Sequence, residues 1–282
     1  MKLLRVGGQG AERPGALLDD GRTVDLSGVL PAERAWTFDD LHRARAALEE
    51  DALPLLQTEG QRTGSPLPRP AAVVCIGLNY RDHAAETGAA IPAEPIVFLK
   101  VPSTVVGPND TVLVPRGSVE TDYEVELGVV LGRRVRYLES AEEGLAAVAG
   151  YVVSHDVSER EFQLRRGGQW DKGKNCETFN PLGPWFVTAD EVPDPGRLAL
   201  RLWVNGDLRQ AGTTADLIFG VGEIVRYLSQ FMVLEAGDVI NTGTPAGVAL
   251  GRPDPKPYLR SGDVVELEID GLGRMRHEMG AA

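Results

Sequence analysis

The sequence predicts a β-rich α+β fold, on three observations. Beyond residue 70, apolar or alternating segments of strand length follow one another, with only two helical patterns among them. Strands and helices are not regularly interleaved, which excludes a doubly wound sheet. The 282 residues include 33 Gly and 19 Pro, a composition that calls for many turns.

Taken in order, the first 70 residues read as a small α/β module. Strand signals at 2–6 and 16–18 precede an amphipathic helix at 37–56. Thr37 and Asp40 cap its start, and Pro54 kinks or ends it. The stretch GQRTGSPLPRP at 60–70 reads as a linker, which separates a small N-terminal domain at 1–65 from a catalytic-size domain at 71–282. Strands are then expected at 71–77, 96–99, 111–114, 123–131, 151–154, 185–187, 198–204, 238–242 and 264–269. Asn205-Gly206 marks a hairpin. One helix is expected at 141–149, with Ser140 and Glu143 as a capping box. Another is expected at 216–231, where Leu217, Val221, Ile224, Val225 and Leu228 form an apolar face.

Hydrophobic residues at 43% and charged residues at 25% place the chain among ordinary globular proteins. A net charge of −12 argues against a nucleic-acid partner. Cys75 and Cys176 form no CxxC motif, and a reducing cytoplasm fits them. The start MKLLRVGGQG has too short an apolar run for a signal peptide, and no span reaches membrane-crossing length, so no membrane partner is expected.

Five stretches carry candidate chemistry. In TDYEVELGVVL, residues 121–131, strand alternation puts Glu124 and Glu126 on one face and Tyr123, Val125 and Leu127 on the other. Paired carboxylates repel and resist desolvation, so either that face is wet or a hard cation compensates them. In GLNYRDHAAE, residues 77–86, His83 and Glu86 are spaced i, i+3. On one helical turn they make either an oriented general base or an exposed ion pair. The chain has only four histidines, His42, His83, His155 and His277, so there is little choice of imidazole. In VSHDVSEREFQ, residues 153–163, Asp156, Arg160 and Gln163 form a pocket wall if a helix follows Asp156. Otherwise Asp156 is an N-cap. GGQWDKGKNCETFNPLGPW, residues 167–185, reads as an ordered loop carrying Lys172 and Lys174. In LEAGDVINTGTPAGVALG, residues 234–251, the turn offers backbone N–H groups and the Thr242 or Thr244 hydroxyl to a carboxylate. It lacks the GK[ST] ending of a triphosphate loop.

Together with PIVFLKVPSTVVGPND and YLRSGDVVELEIDGLG, these blocks run in a consistent order over residues 71–270. They resemble the fumarylacetoacetate hydrolase family of 2-keto-acid hydrolases, isomerases, hydratases and decarboxylases. The resemblance implies a roll of mixed β-sheets behind a small N-terminal domain, and a homodimer. It implies that Glu124, Glu126 and Asp156 ligate Mg²⁺, or else Mn²⁺ or Ca²⁺. His83 and Glu86 would activate water. Lys174 would stabilise developing charge, and Arg160, Gln163 and Thr244 would hold the substrate carboxylate. Two departures bear on substrate: His155 precedes Asp156 where relatives often have Asn, and Cys176 and Glu177 stand where many have an aromatic residue and an aspartate. The expected reaction is hydrolytic C–C cleavage of a 2,4-diketo acid, an acylpyruvate or a diketo-deoxy sugar acid, to pyruvate plus an acid. The alternatives are an oxaloacetate decarboxylase, a ureidoglycolate lyase or a hydroxymuconate-type isomerase. A non-catalytic keto-acid binder would have no reason to keep His83, Glu86, Lys174 and all three acidic residues.

Overall fold

The glutamate-bearing strand forms as Val125–Leu131 and is buried on both faces. In the computed structural model, which describes residues 1–50 and 52–282, this strand lies inside a ten-stranded mixed sheet. The sheet runs in the order Thr23–Asp25, Arg13–Leu17, Lys2–Val6, Asn180–Thr188, Val148–His155, Val125–Leu131, Val239–Asn241, Val73–Gly77 and Ile96–Lys100, with Val105–Val106 paired to Asn180–Thr188. Lys2–Val6 pairs antiparallel to Asn180–Thr188, so the first strands extend the main sheet. A five-stranded sheet of Asp207–Thr213, Ala199–Val204, Val264–Ile269, Gly273–Ala281 and Val112–Val114 supplies a second layer.

Alternation divides the central strand between two cores. Val125, Leu127, Val129 and Leu131 share one core with Leu200, Leu202, Leu267 and Met275 of the second sheet. Val130 faces the other core, with Val73, Cys75, Val152 and Phe186, which Trp36, Leu41 and Ala44 cover. Strand Val148–His155 runs antiparallel beside it, with Glu126 opposite Ser154 and Val125 opposite His155. The Asp156 N–H donates to the Glu124 carbonyl at 3.0 Å, which carries the register one residue further. Directly opposed residues share a face, so this register brings Asp156 to the side that Glu124 and Glu126 occupy.

Several elements differ from expectation. The helix expected at 37–56 spans Phe38–Glu49, with the Thr37–Asp40 capping box formed. It stops early because residues 54–56 pair with strand Thr23–Asp25: Asp25 N–H donates to the Pro54 carbonyl and Leu56 N–H to the Thr23 carbonyl. The helix at 141–149 ends at Leu145, because Val148 and Ala149 begin the strand beside Leu131. The helix at 216–231 is Val221–Leu228; it buries Val221, Ile224, Val225 and Leu228 of the expected face, while Leu217 lies before its start. The stretch 167–185 is not all loop. It contains the short helix Asp171–Lys174 and the start of strand Asn180–Thr188, whose Pro181 and Pro184 mask a strand pattern. Strand Gly273–Ala281 was not expected; it buries Met275, His277 and Met279 at alternate positions between charged residues. Among the described residues, no helix is long and apolar enough to cross a membrane.

Candidate active site

The two glutamates do not lie on a wet face. Glu124 is 5% exposed and Glu126 2%, and Asp156 is fully buried. Each offers a carboxylate oxygen within 4.8 Å of the other two. Such a cluster needs positive charge. Lys174 supplies part of it, donating to Glu124 Oε2 at 2.8 Å and to Asp156 Oδ2 at 2.7 Å. Arg160 donates to Glu124 Oε1 at 2.6 Å, to Asp122 Oδ2 at 2.8 Å and to Gln163 Oε1 at 2.9 Å. Lys100 donates to Asp156 and to the carbonyls of Val157 and Phe179.

The balance stays incomplete. Four carboxylates, those of Asp122, Glu124, Glu126 and Asp156, face three cations, and Glu126 is the acid that none of the three touches. Its one protein hydrogen bond among the described residues comes from the Gly243 N–H at 2.8 Å. Burial, then the charges of Asp156 and Glu124, push the Glu126 carboxyl well above its usual range. Glu124 goes the other way: burial opposes its charge, but Lys174 and Arg160 outweigh burial and lower it. The donor set fits a hard divalent cation: three buried carboxylates converge, and one of them lacks a countercharge.

His83 and Glu86 share helix Arg81–Thr87 at the end of strand Val73–Gly77. His83 Nδ1 lies 3.4 Å from Glu86 Oε2. Glu86 is anchored by the Gly247 N–H, 3.0 Å from each carboxylate oxygen. Gly247 has φ +113°, a backbone conformation that favours glycine. Burial alone would raise the Glu86 carboxyl. The contacts with His83 and Gly247 win, and it is lowered. A fixed carboxylate of this kind orients the imidazole, which suits a general base.

A cavity of about 320 Å³ joins these groups. His83, Glu124, Glu126, Arg160, Gln163, Lys174 and Thr244 all line it. Glu86 stands behind His83, and Asp156 lies beneath Lys174. Thr244 is 4% exposed, and its hydroxyl donates to the Val125 carbonyl at 3.0 Å while accepting from Gln210 Nε2 at 2.8 Å. It thereby ties the turn to the glutamate-bearing strand. Lys172 does not join the cavity; its ammonium donates to the Arg166 carbonyl at the surface.

Sequence reading did not single out Lys100 or Asp122. Lys100 carried a signal: it is in phase with Phe98 on strand Ile96–Lys100, where Phe98 and Lys100 are buried while Val97 and Leu99 face out. A lysine on the inward period of a strand calls for a buried acid. Asp122 orients Arg160 and accepts from the N–H groups of Ala249 and Leu250. Nothing local distinguishes it from the acids that flank it.

Comparison with known proteins identifies the family. The family described as Fumarylacetoacetate (FAA) hydrolase C-terminal matches residues 72–279. A relative from Burkholderia ambifaria, provisionally named a hydrolase, is 50% identical over 274 residues, which cover 97% of this chain and 96% of its own. A solved chain from Mycobacterium abscessus, assigned as a 2-hydroxyhepta-2,4-diene-1,7-dioate isomerase, is 34% identical with a TM-score of 0.82, covering 100% of this chain and 99% of its own. Maleylpyruvate hydrolase from Sphingobium sp. SYK-6, solved with manganese(II) and pyruvate, is 29% identical with a TM-score of 0.80 and covers 100% of both chains. The chain is an enzyme of the fumarylacetoacetate hydrolase family.

Proposed function

We propose that the chain is a divalent-metal-dependent hydrolase that cleaves a C–C bond in a 2,4-diketo acid, yielding pyruvate and a carboxylic acid. One observation carries the reading: a single cavity is lined by His83, the base candidate, and by Glu124, Glu126 and Lys174 of the charge cluster. Glu124, Glu126 and Asp156 would hold the cation. Once bound, it supplies Lewis acidity toward a 2-keto group and its carboxylate. The manganese(II) and pyruvate bound by the Sphingobium hydrolase support that choice of ligand.

The protein's own groups do the rest. Arg160 and Lys174 place positive charge where a carboxylate binds and where enolate charge develops. Gln163, held by Arg160, presents its amide to the same cavity. His83, oriented by Glu86, takes a proton from the water that attacks the C4 carbonyl. The bond between C3 and C4 then breaks, and the pyruvate enolate takes up a proton at C3.

A second reading, isomerisation of a related unsaturated 2-hydroxy acid, is favoured by the 34% identity to the Mycobacterium abscessus chain. It uses the same base and charge cluster without water attack. The test is an assay of chelator-stripped protein with Mg²⁺ or Mn²⁺ restored. Pyruvate formed in step with loss of the diketo acid, and only with metal, supports hydrolysis. Metal-dependent isomerisation without pyruvate supports the second reading, and activity unaffected by chelation contradicts both.

A further inference from the structure

Lys174 and Arg160 both line the cavity, and an apolar surface begins beside Lys174. The Lys174 ammonium lies 4.9 Å from the centre of the Phe98 ring. Phe98 meets Trp170 edge to face, with ring centres 5.7 Å apart. Trp170 packs so closely on the strand end that a Cβ on Gly77 would come within 2.5 Å of its ring, and within 3.6 Å of Ile96. Gly77 therefore makes room for the indole, and Phe98, Trp170 and Ile96 form one continuous surface. Leu164, 42% exposed on the helix that carries Arg160 and Gln163, also lines the cavity. Among the described residues, the only Lys or Arg side chains lining it are Lys174 and Arg160, and both are already bonded to buried acids.

We infer that this site selects 2-keto acids with a single carboxylate and an uncharged apolar tail, and discriminates against a tail that ends in a second carboxylate. The inference rests on the proposed function, which anchors the keto-acid end at Lys174 and Arg160. A tail carboxylate would have to shed water against Phe98, Ile96 and Trp170 with no cation to receive it. An alkyl tail gains by the same burial, roughly fourfold in affinity per methylene. The wall favours the acyl chain of an acylpyruvate over the hydroxylated chain of a sugar acid, whose hydroxyls would lose water for apolar neighbours. This sets the chain apart from the neighbours whose names specify a maleyl or dioate substrate.

Three probes test it on the whole chain supplied with Mn²⁺, by calorimetric titration: pyruvate, 2-oxoheptanoate and 2-oxoheptanedioate. The last two match in chain length, differ only in the terminal methyl or carboxylate, and lack the 4-keto group needed for cleavage. The expected result is at least about tenfold tighter binding of 2-oxoheptanoate than of 2-oxoheptanedioate. Leu164→Arg, a change at a part-exposed position, should narrow or reverse that ratio by bringing a cation to the cavity. If pyruvate binds and the dioate binds as well as the monoacid or better, the tail assignment is overturned and the hydrolase reading stands. If none of the three binds, the keto-acid anchor itself has failed and takes the inference with it.

Discussion

Asp40 and Glu126 are both buried acids, 1% and 2% exposed, and the protein treats them in opposite ways. Asp40 is met on all sides. Arg34 donates to its two oxygens at 2.7 and 2.9 Å, Arg43 adds a further contact, and the Thr37 N–H and hydroxyl donate at 2.9 and 2.8 Å. Burial would raise its carboxyl, but Arg34 and Thr37 outweigh burial and hold it well below the usual range. Glu126 has one backbone N–H and two acidic neighbours, and its carboxyl rises. An acid whose task is to start a helix is neutralised by the chain that carries it. An acid left uncompensated in a fully folded interior marks where a charge from outside the chain belongs.

The contrast is sharpest under mutation. Glu126→Gln should lower metal-dependent turnover by about a thousandfold or more. In chelator-treated protein it should leave the melting temperature unchanged or raise it, since it removes a buried repulsion. Parallel kinetics and calorimetry read both; a variant that keeps full turnover breaks the comparison.

Lys100→Met should cost about 3–5 kcal/mol of stability, because it strips a fully buried Asp156 of a cation. Denaturant unfolding measures this, and a loss below about 1 kcal/mol would mean that Lys174 alone suffices for Asp156. Asp40→Ala should cost about 1–2 kcal/mol through the lost cap and its arginine contacts, with turnover unchanged at temperatures where the variant is folded.

The smallest effect is a pH slope. Glu126 has an ordinary carboxyl value of 4.5 when unfolded and a higher one when folded. Between those values the native state binds the extra proton, so this group's contribution to stability falls as pH rises through the window. Metal-free wild-type protein should therefore lose stability relative to Glu126→Gln as pH rises above about 4.5. Parallel curves for the two proteins would show that Glu126 does not titrate abnormally.

Much of the site was legible in the sequence because it is built from short-range spacing. Glu124 and Glu126 share a face by strand alternation, His83 and Glu86 by a helical turn, and Arg160 and Gln163 by the helix after Asp156. What the spacing left open was burial. Whether the glutamate face is wet depends on what covers it, and the groups that meet Glu124 and Glu126 come from Arg160, Lys174 and Gly243, 36, 50 and 117 residues away. The acid that Lys100 meets and the Gly247 anchor for Glu86 were hidden for the same reason: these partners lie 56 and 161 residues away. In the fold, strands read better than helix ends. The helix expected at 37–56 stops at Glu49 because a strand elsewhere claims residues 54–56, a contest that local propensity does not register.

The most direct test is a Mn²⁺ titration of metal-stripped protein, followed by electron paramagnetic resonance, on wild type and Glu126→Gln. The account predicts one tight Mn²⁺ per wild-type chain, with affinity in the variant weakened by at least about a hundredfold. Equal binding by the two proteins, or no tight binding by wild type, would contradict the assignment of Glu124, Glu126 and Asp156 as the metal site.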